Sequence, residues 1–195
     1  QRLIVGVGDQ VPKLISFRLL EPVMRDGEAV QLVIRDDKTE RLLAELAIHS
    51  LDLVISDAPV GASAKVRAFN HLLGETDVTI YGTPALAARY KKRFPESLDG
   101  APFLLPPEDT SLHRSLTAWF DAIGVRPRVV AEINDSAVLK VFGQGGIGLF
   151  AAPTAIEADV TRQYEVRPVG RVESVKERFY AISVERKITH PVVKE

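Results

Sequence analysis

The 195-residue sequence contains no cysteine. A chain without thiols forms no disulfide, binds no zinc through thiolates and has no cysteine nucleophile. The sequence also lacks an apolar run near the roughly 20 residues that a membrane helix requires, and neither end resembles a signal peptide. We therefore expect a soluble, cytoplasmic protein without a membrane partner.

An excess of charge of one sign is also missing. Lys and Arg number 25 against 26 Asp and Glu, which gives a formal net charge of −1, and the basic residues are scattered. A domain that holds DNA by itself normally presents a basic face. The first residue is Gln1 rather than Met, and the last is Glu195. We expect a further segment upstream.

Apolar runs of strand length alternate with segments of helical periodicity in the first half of the chain. Strands are predicted at residues 3–7, 30–34 and 51–55, with helices at 14–24 and 39–48 between them. Strands separated by helices of this length favour βαβ units around a parallel sheet.

The same order of elements then appears a second time. An extended stretch at 69–81, interrupted at Gly74 and Glu75, leads into it. Further helices are predicted from Thr83 and at 112–123 and 136–142, and further strands at 103–105, 128–133, 147–151, 164–169 and 179–184. Thr154 and Glu157 have the spacing of a capping box that opens a short helix. We predict an α/β fold of two Rossmann-like lobes joined by crossover strands, with lobe I at 1–73 and 186–195 and lobe II at 74–185.

Residues 143–148 read Gly-Gln-Gly-Gly-Ile-Gly and match the letters of the dinucleotide-binding motif GxGxxG. That motif requires a strand, then the glycines, then a helix whose N-terminus faces the pyrophosphate. Here a predicted helix ends in the glycines and a strand follows, so the segment predicts a helix C-cap and a tight turn. Residues 6–11 do follow a strand but have Val11 where the third glycine belongs. Neither segment predicts a nucleotide site.

No set of residues suggests catalysis or a transition metal. The histidines show neither HxxxH spacing nor a carboxylate at ligand spacing, so we expect surface or helix-end residues; they are His49, His71, His113 and His190. Ser56 and Ser111 lack the GxSxG elbow of a nucleophile. Ser111 is predicted as the N-cap of helix 112–123, and Trp119 as a core residue of that helix. We expect no cofactor.

Carboxylates recur where predicted strands end or helices begin. They are Asp9, Asp36, Asp37, Asp57 and Asp135. Asp is a favoured N-cap and complements the helix dipole, so capping alone is one explanation. A second is that several carboxylates share a site, where a cation or protons would relieve their mutual repulsion.

Three segments resemble the effector domains of LysR-type transcriptional regulators. They are Ser-Leu-Asp-Leu-Val-Ile-Ser at 50–56, the helix–glycine–strand–proline run at 141–153, and the closing segment at 186–191 with His190 and Pro191. The resemblance implies a fold like type 2 periplasmic binding proteins, with an effector in the cleft between the lobes, and it implies a regulator rather than an enzyme. It also implies an upstream winged helix-turn-helix that binds promoter DNA, and assembly as a dimer, or as a tetramer in the full-length protein.

A narrower resemblance, to activators of Na⁺/H⁺ antiporter expression within this family, rests on residues 5–9, 54–59, 137–143 and 150–154. It implies Na⁺ or Li⁺ as the signal. The family's usual effector is a small carboxylate held by Ser or Thr after the first strand, but this chain has Asp9 and Gln10 there. A fixed carboxylate at that point would repel an anion.

The predicted effector-binding residues follow from this departure. The carboxylates are Asp9, Asp36, Asp57 and Asp135, and Gln10, Ser111 and Asn134 supply neutral oxygens. A LysR-type regulator that senses a small metabolite and a periplasmic-type solute-binding protein stay open as alternatives. A small α/β enzyme has little support, since no acid–base or nucleophilic set is present.

The resemblance also predicts how two copies pair. Helix 14–24 and strand 30–34 of one copy should lie antiparallel to helix 112–123 and strand 128–133 of the other, in an isologous interface. Phe17, Leu20 and Val23 are apolar residues that the lobe core does not need in this prediction.

Overall fold

A computed structural model describes residues 1–25, 29–62, 64–186 and 188. The chain divides into two compact units. Unit 1 contains Gln1–Gly74 and Arg178–Glu195, and unit 2 contains Glu75–Glu177. The lobe boundaries after residues 73 and 185 stay a prediction. No helix in the described ranges is long and apolar enough to cross a membrane.

In unit 1, parallel strands carry the fold. β1 (Arg2–Gly8) pairs in parallel with β2 (Gln31–Asp37) on one side and with β3 (Leu53–Ser56) on the other. The end of β8 (Arg167–Ser183) pairs antiparallel with β3. Strands covered on both faces are continuous apolar runs, and every residue of β3 is buried.

The helices of unit 1 connect these parallel strands. α1 (Lys13–Arg25) follows β1, and α2 (Thr39–Ala47) follows β2. α2 buries Leu42 and Leu46, four residues apart and therefore on one face, in a cluster with Leu51 and other apolar residues. The periodic pattern of the sequence predicted both helices.

Unit 2 repeats the combination of strands and helices. β4 (Phe69–Gly82), which begins in unit 1, pairs antiparallel with β7 (Phe150–Pro153), and β5 (Pro102–Leu105) pairs in parallel with β6 (Arg128–Glu132). Its helices are α3 (Pro84–Lys91), α4 (Ser111–Ala122), α5 (Ser136–Gln144) and α6 (Glu157–Tyr164), with short 3₁₀ turns at Glu96–Leu98 and Thr154–Ile156. The predicted α/β class is confirmed.

Both long strands differ from their predictions. Gly74 and Glu75 do not interrupt β4, because the neighbouring strand outweighs their low strand propensity. The predicted strands 164–169 and 179–184 are parts of one strand, β8, and Tyr164 belongs to α6.

Three shorter predictions also need correction. β7 starts at Phe150 rather than at 147, because residues 145–147 form the turn and bend after α5 and Leu149 makes only an isolated bridge to Phe103. Thr154 makes no capping box with Glu157, since its hydroxyl bonds that of Thr79 at 2.8 Å. Ser111 is not the N-cap of α4: Thr110 takes that position and its hydroxyl accepts from the His113 N–H.

Candidate functional site

The backbones of Asp9 and Asp37 meet where β1 and β2 of unit 1 end. The parallel register sets Gly8 opposite Asp37, and the Asp9 N–H donates to the Asp37 carbonyl at 3.0 Å. Gly8 is needed here, because a Cβ at that position would lie 2.7 Å from the Thr39 hydroxyl oxygen at the start of α2. The close approach of α2 therefore fixes Asp9 beside the end of β2.

The Asp9 carboxyl is half-buried, and its pKa is raised above the ordinary value. Burial is the largest cause, a hydrogen bond from the Gln10 side chain opposes it, and the charges of Asp36 and Glu40 raise the pKa further. Asp36 is exposed, and Lys13 pairs with it at 3.3 Å. The Asp9 carboxylate therefore lies near other negative charges. The hydrogen bond from Gln10 offsets only part of the rise in its pKa.

Asp57 comes directly after β3, on the other side of β1 from β2. It is half-buried, and the buried Ser56 before it accepts the Ala58 N–H through its hydroxyl. Because parallel strands end at one edge of a sheet, unit 1 brings Asp9, Asp36 and Asp57 to the carboxyl ends of neighbouring strands.

In unit 2 the predicted residues follow β5 and β6, which are also parallel neighbours. Asp135 is the N-cap of α5, and its carboxylate accepts from the N–H groups of Ala137 and Val138 at 2.8 and 3.1 Å. Capping therefore engages one carboxylate oxygen of Asp135, Oδ1. Asn134 is exposed, and Ser111 is the first residue of α4, within 3.5 Å of an Arg114 guanidinium nitrogen.

Within the described residues, no three His, Cys, Asp or Glu side chains are arranged as ligands for a metal ion. Any cation at the unit 1 carboxylates would depend on neutral oxygens and water as well. Oxygen ligands of this kind suit hard cations rather than transition metals.

The GxGxxG segment has the structural role that its order predicted. α5 ends at Gln144, and Gly146 has φ of +76°, the left-handed conformation that closes a helix. A strand and not a helix follows the glycines, so the order that the dinucleotide-binding motif requires is missing here. Gly143 is required for packing, because a Cβ there would lie 2.3 Å from the ring of Phe150.

The described histidines occupy structural positions. His49 follows α2 in a left-handed conformation, and His113 lies 2.7 Å from the Pro106 carbonyl. His71 is half-buried in β4 rather than on the surface or at a helix end, which corrects the prediction, and it lies 3.0 Å from the Ser183 hydroxyl. His190, with Pro191, lies outside the described residues.

The Ser183–His71 pair is not an activated nucleophile. The Ser183 hydroxyl donates to the Glu185 carbonyl at 2.6 Å, so its only hydrogen is already engaged. His71 must then donate to Ser183 rather than accept from it. Trp119 is half-buried and packs against the core of unit 2, near Phe94 and Phe120.

An ion-pair cluster in unit 2 was not predicted. The nearly buried Asp77 accepts from Arg171 Nε at 2.7 Å and also from Lys176. Hydrogen bonds from Lys176 and Arg171 lower the pKa of the Asp77 carboxyl. Buried Lys140, which donates to the Ser136 carbonyl at 3.2 Å, was also missed. For Asp77, the sequence signal was a charged residue directly before the apolar run of β4.

An apolar groove of about 450 Å³ runs between α1 and β2 on unit 1. Phe17, Met24 and Ile34 line it and expose 59%, 55% and 53% of their surface. The prediction that Leu20 is not needed for the core is wrong, since Leu20 is buried; Val23 is half-buried. Large exposed apolar patches often mark interaction surfaces.

The model of the LysR substrate binding domain matches residues 1–195. The chain belongs to the LysR substrate-binding domain family. It is 33% identical over 189 residues to the transcriptional activator protein NhaR of Escherichia coli K12, and equally to that of Shigella flexneri. The match covers 97% of this chain and 62% of each relative.

Solved structures of this family share the fold. The reduced regulatory domain of OxyR2 from Vibrio vulnificus has a TM-score of 0.73 at 16% identity, covering 96% of this chain and 88% of that one. The apo regulatory domain of HypT from Salmonella typhimurium has a TM-score of 0.74 at 12% identity, covering 98% and 90%. The fold is thus the two-lobe, periplasmic-binding-protein-like fold predicted from the sequence. The family match and the identity to a transcriptional activator place the chain among regulators rather than enzymes.

Proposed function

We propose that this chain is the effector-sensing domain of a LysR-type transcriptional activator that responds to Na⁺ or Li⁺. The residues outside the matched part of the NhaR relatives would include the winged helix-turn-helix that binds promoter DNA. The full-length protein would be a cytoplasmic homodimer or tetramer. Residues 1–73 and 186–195 would form regulatory lobe I, and residues 74–185 lobe II.

The carboxylate at Asp9 carries this proposal. The family's usual Ser or Thr is replaced there by an acid whose pKa is raised by burial and by the charges of Asp36 and Glu40. An anionic effector would meet a negative group at this point, whereas a cation would relieve the repulsion. The identity to NhaR, 33% over 189 residues, is in keeping with an activator of the same kind.

The proposed site consists of Asp9, Gln10, Asp36 and Asp57 on unit 1 and of Ser111, Asn134 and Asp135 on unit 2. A cation bound at these residues would favour one conformation of the domain, and the DNA-binding segment would respond to that change. A ligand shifts such an equilibrium only through its different affinity for the two states. For a weakly bound ion, we expect a shift on the order of 1–3 kcal/mol.

Promoter activation by the intact regulator tests this proposal. The Asp9→Asn, Asp135→Asn double variant removes one carboxylate from each unit, and Asn at 135 keeps a good helix cap. We expect it to lose the response to Na⁺ while the response to K⁺, at matched ionic strength, stays at the basal level. The double variant Glu96→Gln, Asp159→Asn removes two charges elsewhere in unit 2 and should respond as the parent does.

Retention of the full Na⁺ response by the Asp9→Asn, Asp135→Asn variant would contradict the proposed site. A response of the parent to a metabolite but not to Na⁺ would instead favour the alternative effector. An upstream signal sequence in the full-length gene, in place of a helix-turn-helix, would indicate a periplasmic-type solute-binding protein.

A further inference from the structure

A polar pocket lies wholly within unit 2, and it shares no residue with the proposed cation site. It has a volume of about 340 Å³, a size that admits a small metabolite. Its lining combines acidic, basic and hydroxyl-bearing side chains with one backbone position. The lining residues are Glu75, Thr76, Asp77, Thr154, Ala155, Arg171 and Lys176.

Contacts inside the unit hold the floor of this pocket rigidly. Asp77 is 8% exposed; Arg171 bonds its Oδ2 and Lys176 its Oδ1. The Thr76 hydroxyl accepts the Ala155 N–H at 3.0 Å, and the Thr154 hydroxyl pairs with that of Thr79. These bonds tie β4, β8 and the turn after β7 together, so the charged groups are already oriented.

The two cations retain donors that Asp77 does not use. Arg171 bonds Asp77 through Nε and one terminal nitrogen, and its side chain is 56% exposed. Lys176 uses one N–H on Asp77 and is 36% exposed. Within the described residues, the other terminal nitrogen of Arg171 has no hydrogen-bond acceptor. A planar guanidinium edge beside an ammonium group suits a carboxylate.

Charge balance decides between the possible ligands. Glu75 also lines the pocket, and the charges of Glu173 and Glu157 act on Arg171. A simple anion would therefore meet nearby carboxylates, and a simple cation would meet Arg171 and Lys176. A ligand with one charge of each sign avoids both penalties.

We propose that this pocket binds the zwitterionic head group of a small α-amino acid. The carboxylate of the ligand lies against Arg171 and Lys176. Its ammonium group faces Glu75 and the Thr154 hydroxyl. The site is separate from the proposed cation site, because each of its residues belongs to unit 2 and none is a predicted effector residue.

The test is a thermal-denaturation screen of the protein against each proteinogenic L-amino acid, followed by calorimetric titration of those that stabilise it. We expect at least one amino acid to raise the melting temperature. Its analogue without the amino group and its analogue without the carboxylate should both bind at least about tenfold more weakly, because each loses a charged hydrogen bond.

Variants locate the binding. Arg171→Gln should weaken the amino acid at least about tenfold, and Glu75→Gln, at an exposed position, should weaken it without affecting folding. Arg162→Gln is the matched control, since it also breaks an Arg–Asp pair of unit 2 but lies outside the pocket. It should bind as the parent does.

Several outcomes would overturn the proposal. One is a screen in which no amino acid stabilises the parent, and another is unchanged binding by both Arg171→Gln and Glu75→Gln. Equal binding of the carboxylate-only analogue would indicate an anion site, and equal binding of the amine-only analogue a cation site. Retention of the Na⁺ response by Asp9→Asn, Asp135→Asn would contradict the cation site but would change none of these results, so the two proposals fail independently.

Discussion

The packing of Gly143 on Phe150 gives the sharpest stability prediction. Gly143 lies in α5, near its end, and a Cβ added there would stand 2.3 Å from two ring carbons of Phe150. That ring is fully buried and stacks on Tyr81, with centroids 5.6 Å apart. The ring cannot move aside without displacing Tyr81, which is also fully buried.

Two opposing effects set the magnitude for Gly143→Ala. Ala is favoured over Gly in a helix by up to about 1 kcal/mol. Forcing a methyl group into a packed core costs about 1–3 kcal/mol and occasionally more, and a 2.3 Å contact lies at the severe end. The steric cost therefore prevails, and we expect a loss of about 2 kcal/mol in the free energy of unfolding.

Urea unfolding followed by circular dichroism measures this loss, and a chain of this size should show a melting temperature lower by roughly 4–8 °C. Gly145→Ala is the matched control. The Cβ of that variant would lie no closer than 3.4 Å to another atom, so its stability should stay near that of the parent. Adding Phe150→Leu should make Gly143→Ala less harmful than it is in the parent. A Gly143→Ala variant as stable as Gly145→Ala would refute the reasoning.

The remaining predictions concern assembly and pH. Phe17→Glu should shift the proposed dimer to monomer in light scattering, because it places a charge in the apolar groove of unit 1; Phe142→Glu, exposed but outside the groove, should not. Lys176 and Arg171 lower the pKa of Asp77, so its contribution to stability is present above the ordinary pKa of about 3.9 and is lost as the pH falls below it. Asp77→Asn should therefore flatten the acid limb of the unfolding free energy against pH, and an unchanged limb would count against the ion-pair cluster. The pKa of Asp9 is raised, mainly by burial, so its contribution is present at low pH and is lost as the pH rises through the folded-state pKa. As the pH rises from about 4 to about 7, the free energy of unfolding of Asp9→Asn should fall less than that of the parent. An equal fall would contradict the burial that raises the pKa of Asp9.

Periodicity predicted the elements that bury one continuous face. α2 and β3 matched because leucines at helical spacing and a short apolar run leave few alternatives. The centre of β8 was missed, since it buries Val169, Val172 and Val175, which are three apart instead of two. A search for strict alternation cannot detect such a strand. The cap of α4 moved by one residue because Thr110 and Ser111 both carry a hydroxyl.

The candidate site could be predicted only as far as strand ends. Asp9 follows β1 and Asp57 follows β3 in the sequence, which a local pattern reveals. Because β1 and β3 are parallel, both residues lie at the same edge of the sheet. The Asp77 cluster joins residues 94 and 99 positions apart, a separation that no local pattern reveals. Likewise, the sequence predicted carboxylates near Asp9, but only the packed structure shows that burial is the main cause of its raised pKa.

Thermal denaturation in NaCl, LiCl and KCl at matched ionic strength tests cation sensing most directly. A ligand that binds only the folded state must stabilise it. We predict a higher melting temperature in Na⁺ and Li⁺ than in K⁺, a difference that grows as the pH rises and is absent in Asp9→Asn. Equal melting temperatures in the three salts, or a difference that Asp9→Asn retains in full, would contradict it.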